Sequence, residues 1–179
     1  MNTLEEVPGD HARGHPTAPA KLLIYGDYEC PYTRVAYRSV QRLERRFGEH
    51  LRFVFRHFPL VDIHPHAQQA AEAAEAGAAQ GRFWELHDVL FRRQQALEAP
   101  DLRLYASQVG LDTERFWNEV ETGAHAGRVS RDVASGRTSG VRGTPTVFLN
   151  GERYRGDYRP EALDTRLEDV ITASTASYE

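Results

Sequence analysis

Cys30 is the only cysteine in the 179-residue chain, and it stands in Cys30-Pro31-Tyr32-Thr33. The apolar run Leu22-Leu23-Ile24-Tyr25 before it, closed by Gly26-Asp27, reads as a strand buried on both faces. Pro31 suits the first position of a helix. The sulfur is therefore expected at a helix N-cap, where unpaired backbone N–H groups and the positive end of the helix dipole favour a thiolate. Thr33, three residues on, is expected to offer its hydroxyl as a further donor to that thiolate. Such a group can attack a disulfide or be oxidised to a sulfenic acid. A lone cysteine is more often a buried small hydrophobe, but placement between a strand and a helix argues against that here. One cysteine allows no intrachain disulfide and no cysteine-built metal cluster, so redox chemistry requires a second molecule.

Other residues with chemical potential are read more plainly. His64-Pro65-His66 could suggest a metal pair, yet the proline and a helix start at this place favour a structural role. His87 and Asp88 resemble a base and its orienter, but neighbours at i and i+1 do not face each other on a helix. Trp84 and Trp117, with Phe83, Phe91 and Phe116, are expected to pack a helical region rather than hold a cofactor. His57 follows a strand and is at most a helper near Cys30. Arg34 and Arg38 suit either acidic partners or a solvated helix face. Gly140-Val141-Arg142-Gly143 lacks the spacing of a dinucleotide motif, and no glycine stands in a phosphate-loop context.

The elements that position Cys30 follow from periodicity. After Pro31, Ala36, Val40, Leu43 and Phe47 recur at helical spacing up to Gly48. Leu51, Phe53 and Phe55 alternate with Arg52, Val54 and Arg56, which predicts a second strand ending before Pro59. Strand, helix, strand implies a right-handed crossover and a parallel pair. From Pro65 to about Ser139 strand signals vanish, and helices are predicted over 67–80, 83–95, 101–109, 112–122 and 124–136. Thr146 to Leu149, the dipeptide Asn150-Gly151, and Glu152 to Arg155 read as a hairpin with a tight turn. Pro145 before it is acceptable at a strand's first residue. Pro160 opens a last helix with Ala162, Leu163, Leu167, Val170 and Ile171 inside, and the tail after Thr172 is expected to fray. Residues 1–20, rich in Pro and Gly, read as a loosely docked arm.

Composition sets the class. Lys and Arg number 22 against 26 Asp and Glu, a formal charge of −4, and 40% of residues are hydrophobic. The basic residues, all Arg except Lys21, are interleaved with acids, which argues against nucleic acid. No apolar run reaches a membrane span. Residues 1–10 are acidic where a signal peptide is basic and then apolar, so a cytoplasmic location is expected.

Tyr25-Gly26-Asp27-Tyr28-Glu29-Cys30-Pro31-Tyr32, a helical insertion, and then Gly143-Thr144-Pro145-Thr146 before a strand together resemble the bacterial DsbA-like branch of the thioredoxin superfamily. Arg56-His57-Phe58-Pro59-Leu60, His64-Pro65 and Gln80-Gly81-Arg82-Phe83-Trp84-Glu85-Leu86-His87-Asp88 agree with it, so the likeness runs from about Gly14 to Leu167. The pattern is similar to soluble domains of this branch, including those fused to sodium/proton antiporters.

The resemblance implies an α/β, thioredoxin-like fold, with a central mixed β-sheet flanked by helices and an all-helical insertion between the βαβ half and the ββα half. The thioredoxin-like domain would comprise 21–62 and 140–172, and the insertion 63–139. It further implies that Cys30 is the nucleophile, that Pro31, Tyr32 and Thr33 complete the catalytic tetrapeptide, and that Thr144 and Pro145 form a cis-proline loop binding an extended substrate segment. The sequence departs from the family pattern twice. Thr33 replaces the resolving cysteine of C-x-x-C, and Ile24 stands where many members bury an acid.

With one thiol, dithiol oxidation is disfavoured. The expected activity is a monothiol exchange of isomerase or deglutathionylation type, with thiol- or disulfide-containing proteins as partners and glutathione or another low-molecular-weight thiol as co-substrate. No cofactor and no metal are expected, and the chain is expected to be a monomer or weak homodimer. The alternative is a redox-inactive binding module that holds peptide or protein segments at the cis-proline groove. A third option is a Cys30–Cys30 dimer or a sensor with an exposed thiol.

Overall fold

Residues 4–176 are described by a computed structural model. Along the chain come β1 (His11–Arg13), β2 (Ala20–Gly26), α1 (Pro31–Phe47), β3 (Leu51–His57), α2 (Ala67–Ala78), α3 (Phe83–Arg92), α4 (Ala99–Gln108), α5 (Thr113–Glu121), α6 (Ala126–Thr138), β4 (Thr146–Leu149), β5 (Glu152–Tyr154) and α7 (Pro160–Ala176). The strands form one mixed sheet in the order β1-β3-β2-β4-β5, and the helical stretch lies between β3 and β4. This is the thioredoxin-like arrangement that the resemblance implies. No helix among the described residues is long and apolar enough to cross a membrane.

The chain divides into two compact units. The first comprises Met1–Tyr25, Tyr32–Arg56 and Pro145–Glu179; the second comprises Gly26–Pro31 and His57–Thr144. In the first, β2 and β3 are buried along almost their whole length because both are central strands. Leu22, Leu23, Ile24 and Tyr25 pair antiparallel with Leu149, Phe148, Val147 and Thr146. Asn150 (φ 47°) and Gly151 (φ 81°) both take positive φ, the requirement of a tight hairpin turn matched to strand twist. The Asn150 side chain also accepts from Lys21 N at 2.7 Å and donates to Pro19 O at 2.9 Å. Helix α1 turns Ala36, Tyr37, Val40 and Leu43 inward and is joined to α7 by Arg46, which pairs with Asp164 and Glu168.

The N-terminal arm differs from the expectation of loose docking. Residues 11–13 are an edge strand, with His11, Ala12 and Arg13 opposite Phe55, Val54 and Phe53 of β3. The arm has no apolar period to betray this, because arginines rather than hydrophobes fasten it. Arg56, fully buried, donates to Asp10 at 2.7 and 2.9 Å, to the Tyr25 hydroxyl at 2.9 Å and to Glu5 O at 2.9 Å. Burial would depress the Arg56 pKa, but these acceptors raise it above its ordinary value. Arg13 binds Glu44, and Arg52 binds Glu6. Gly14 (φ +89°) permits the close approach, since a Cβ there would meet Leu51 O at 2.2 Å. Residues 1–3 of the arm lie outside the described residues.

In the second unit, α2 touches α3, α4, α5 and α6. Its buried face is almost all alanine and Gly77, where a Cβ would meet Leu86 Cδ2 at 2.9 Å, so small side chains let neighbouring helices approach. Helix α4 begins at Ala99, earlier than its periodicity suggested, because Pro100 fits the first turn and Glu98 and Asp101 form a reciprocal capping box. Helix α7 runs through Thr172 to Ala176, where fraying was expected, and residues 177–179 of that tail lie outside the described residues.

Replacing Arg56 by Met leaves the buried Asp10 carboxylate without its cation, and a loss of about 3–5 kcal/mol is expected in urea unfolding. Hydrogen bonds from Arg52 hold the Glu6 carboxyl below its usual range. A depressed carboxylate stabilises fully above its unfolded value and loses that contribution as pH falls through the folded one. Amide protection in β1 is therefore expected to weaken as pH falls below the ordinary carboxylate range, before the central strands open, as read by hydrogen exchange.

Candidate active site

The loop Gly26–Pro31 carries Cys30 from the end of β2 to the start of α1 and belongs to the second unit. Its shape is set by buried polar groups. Asp27, 2% exposed, accepts from Glu29 N at 2.8 Å, Leu60 N at 2.8 Å and His64 Nδ1 at 2.7 Å. Glu29 accepts from His66 N at 2.7 Å and lies 2.9 Å from His66 Nδ1. Gly26 O accepts from Phe58 N, and Asp27 O from Cys30 N. The two histidines are therefore ties between the cysteine loop and the turn after β3. Sequence reading assigned them a structural role but missed their partners Asp27 and Glu29.

Aromatic packing completes the seat. The Tyr28 hydroxyl and His87 Nδ1 are 2.7 Å apart, and the Tyr28 ring contacts Phe91 with centroids at 4.8 Å. Phe83, Trp84 and His87 contact one another mostly edge to face, with Phe83 and His87 buried and Trp84 half-buried, which is a packing role. His57 is buried with Nε2 2.7 Å from Glu75, and its backbone N donates to Asp132. Gln94, to which sequence reading gave no role, donates from Nε2 to Tyr28 O and Cys30 O, each at 2.8 Å.

Cys30 directly precedes α1, at the helix N-terminus. It is 3% exposed, which corrects the expectation of an exposed thiol: the loop folds the side chain inward, and Sγ donates to Thr144 O at 3.3 Å. Cys30 and Thr144, whose pairing only the resemblance implied, thus lie in contact. Thr144 Oγ1 is buried without a hydrogen-bond partner among the described residues. Pro31 is exposed and Tyr32 is 70% exposed, whereas Thr33, one turn into α1, is 1% exposed. Pro145, in the first unit, is buried just before β4, and its carbonyl accepts from the Tyr158 hydroxyl at 3.2 Å. The Sγ of the chain's one cysteine thus stands at a helix start against a backbone carbonyl.

A thioredoxin family model matches residues 6–169. The chain belongs to the thioredoxin family. Among solved structures, thioredoxin-family relatives give the DsbA-like fold. The chain is similar to oxidised BdbD from Bacillus subtilis, with a TM-score of 0.83 and 19% identity over 93% of this chain and 95% of that one. It is similar to alpha-DsbA1 from Wolbachia pipientis, with a TM-score of 0.83 and 16% identity over 98% of each chain. A thioredoxin-like oxidoreductase from Silicibacter pomeroyi gives 0.79 and 25% identity over 95% of this chain and 94% of that one. In sequence, the chain is 47% identical over 165 residues to a Na(+)/H(+) antiporter NhaA 3 of Salinispora tropica, covering 92% of this chain and 25% of that protein. The chain spans about a quarter of the length of the curated relatives it matches.

Asp27→Ala removes the acceptor of two backbone N–H groups and one imidazole, and an expected loss of about 2–4 kcal/mol is to be read by urea unfolding. The same variant is expected to expose Cys30 to iodoacetamide faster than wild type, as followed by intact mass.

Proposed function

We propose that this thioredoxin-family chain is a thiol–disulfide exchange protein that works through Cys30 alone. The observation that carries the reading is the placement of the sole thiol at the start of α1, against Thr144 O, with Thr33 buried where the family pattern has its second cysteine. In the first step the Cys30 thiolate attacks a disulfide R–S–S–R′, forming Cys30–S–S–R and expelling R′–S⁻. In the second, an external thiolate attacks that mixed disulfide, forms its own disulfide with R–S, and returns the Cys30 thiolate. Electrons are conserved across the pair of steps, so no cofactor enters. The substrates are thiol- or disulfide-containing proteins, and the releasing thiol is glutathione or another small thiol. Thr144 and Pro145 act as the cis-proline loop that holds an extended substrate segment beside the sulfur. For attack, Sγ must release its proton and leave the Thr144 carbonyl.

A second reading draws on the burial of Cys30 and its bond to Thr144 O. In it the fold keeps a peptide-holding groove and has lost the chemistry.

Glutathione disulfide separates the two. Native wild-type protein is expected to gain one glutathione adduct by intact mass, Cys30→Ser none, and added reduced glutathione is expected to remove it. Thr33→Cys is expected to form an internal disulfide and to gain oxidation of reduced substrates. An adduct that forms only in urea-unfolded wild type would overturn exchange and leave the binding module.

A further inference from the structure

We infer that Gln94 is a positioning residue for Cys30: its carboxamide gathers two carbonyls of the cysteine loop and so fixes the backbone that aims Sγ at Thr144 O. The inference rests on the reading of Cys30 as the exchanging thiol.

Gln94 follows α3, is 5% exposed, and lies in the same compact unit as Cys30. Its Nε2 is 2.8 Å from Tyr28 O and 2.8 Å from Cys30 O. A carboxamide nitrogen carries two hydrogens, and this geometry uses both. Buried carbonyls need partners. In this loop Gly26 O and Asp27 O have backbone donors in Phe58 and Cys30, while Tyr28 O and Cys30 O, the latter also the carbonyl that opens α1, converge on one side chain. Convergence of carbonyls two residues apart leaves the peptide planes between them little freedom. Cβ of Cys30 is attached to that constrained backbone, and the direction of Sγ follows from it. A purely apolar residue of equal length would fill the same space and leave both carbonyls without this donor.

The chain's single cysteine makes the test specific, because selective ¹³C labelling of cysteine gives one carbonyl and one Cβ signal. Wild type, Gln94→Met and Gln94→Glu are compared under conditions where circular dichroism shows each to be folded. The Cys30 carbonyl and Cβ resonances are both expected to move in Gln94→Met. Mixed-disulfide formation with glutathione disulfide, per folded molecule, is expected to fall about tenfold. Gln94→Glu adds a signature that loss of packing does not give. Its ionised carboxylate donates nothing, whereas its protonated form donates one hydrogen bond, so its rate relative to wild type is expected to recover as pH falls. The ratio for Gln94→Met stays flat. Unchanged Cβ resonance and unchanged rates in both variants would overturn the positioning role. If wild type itself forms no adduct, the exchange reading falls separately, and the Cβ resonance alone decides whether Gln94 orients the sulfur.

Discussion

The buried carboxylate of Asp27 is the constraint on which the surroundings of Cys30 depend. Three donors from three parts of the second unit meet on it: Glu29 N within the loop, Leu60 N in the turn after β3, and the His64 ring ahead of α2. Bonds to an ionised oxygen are stronger than neutral ones, and burial keeps water from competing for them. Glu29 repeats the device two residues on by engaging both the backbone and the ring of His66. The segment preceding the cysteine is therefore held from the side by acids, and the carbonyls at 28 and 30 are held from another side by an amide. A sulfur placed in this way does not depend on its own contacts for its orientation.

The two departures from the family pattern make joint physical sense. Ile24 is buried in β2, opposite Val147 of β4, at the centre of the sheet. In that apolar setting a carboxylate is useful only where it can help a neighbouring buried thiol lose its proton; otherwise it is an unpaired charge, which is costly. Thr33 fills the place of that thiol and is itself buried. With both gone, the chain keeps the fold and the sulfur at the start of α1, and in the proposed exchange the second half of the chemistry falls to a molecule in solution.

Much of this was legible in the sequence, and the reason differs between elements. Strands β2 and β3, helix α1 and the Asn150-Gly151 hairpin rest on local periodicity and turn chemistry, which neighbouring residues determine. Cys30 and Thr144 could be paired only through the family motifs, because 114 positions separate them. What escaped detection depends on single polar contacts over long separations. Arg56 reaches Asp10 across 46 positions and turns an apparently loose arm into a strand. Gln94 reaches Cys30 across 64, and a lone glutamine after a helix carries no periodic or compositional signal. The thiol's burial was likewise hidden, since a helix-start position tells where a sulfur sits along the chain and not which way the loop turns it.

The arm also has a bearing on how the sheet ends. β1 pairs with β3, which is buried along nearly all seven of its residues, while the opposite edge is the short β5 with exposed Glu152 and Arg153. Charged, short edges resist pairing with another chain, and long apolar ones invite it. Shortening the arm past Arg13 therefore turns an interior strand into an open edge, a template for strand addition by a second molecule. The residues that look most dispensable are the ones that keep the sheet finite.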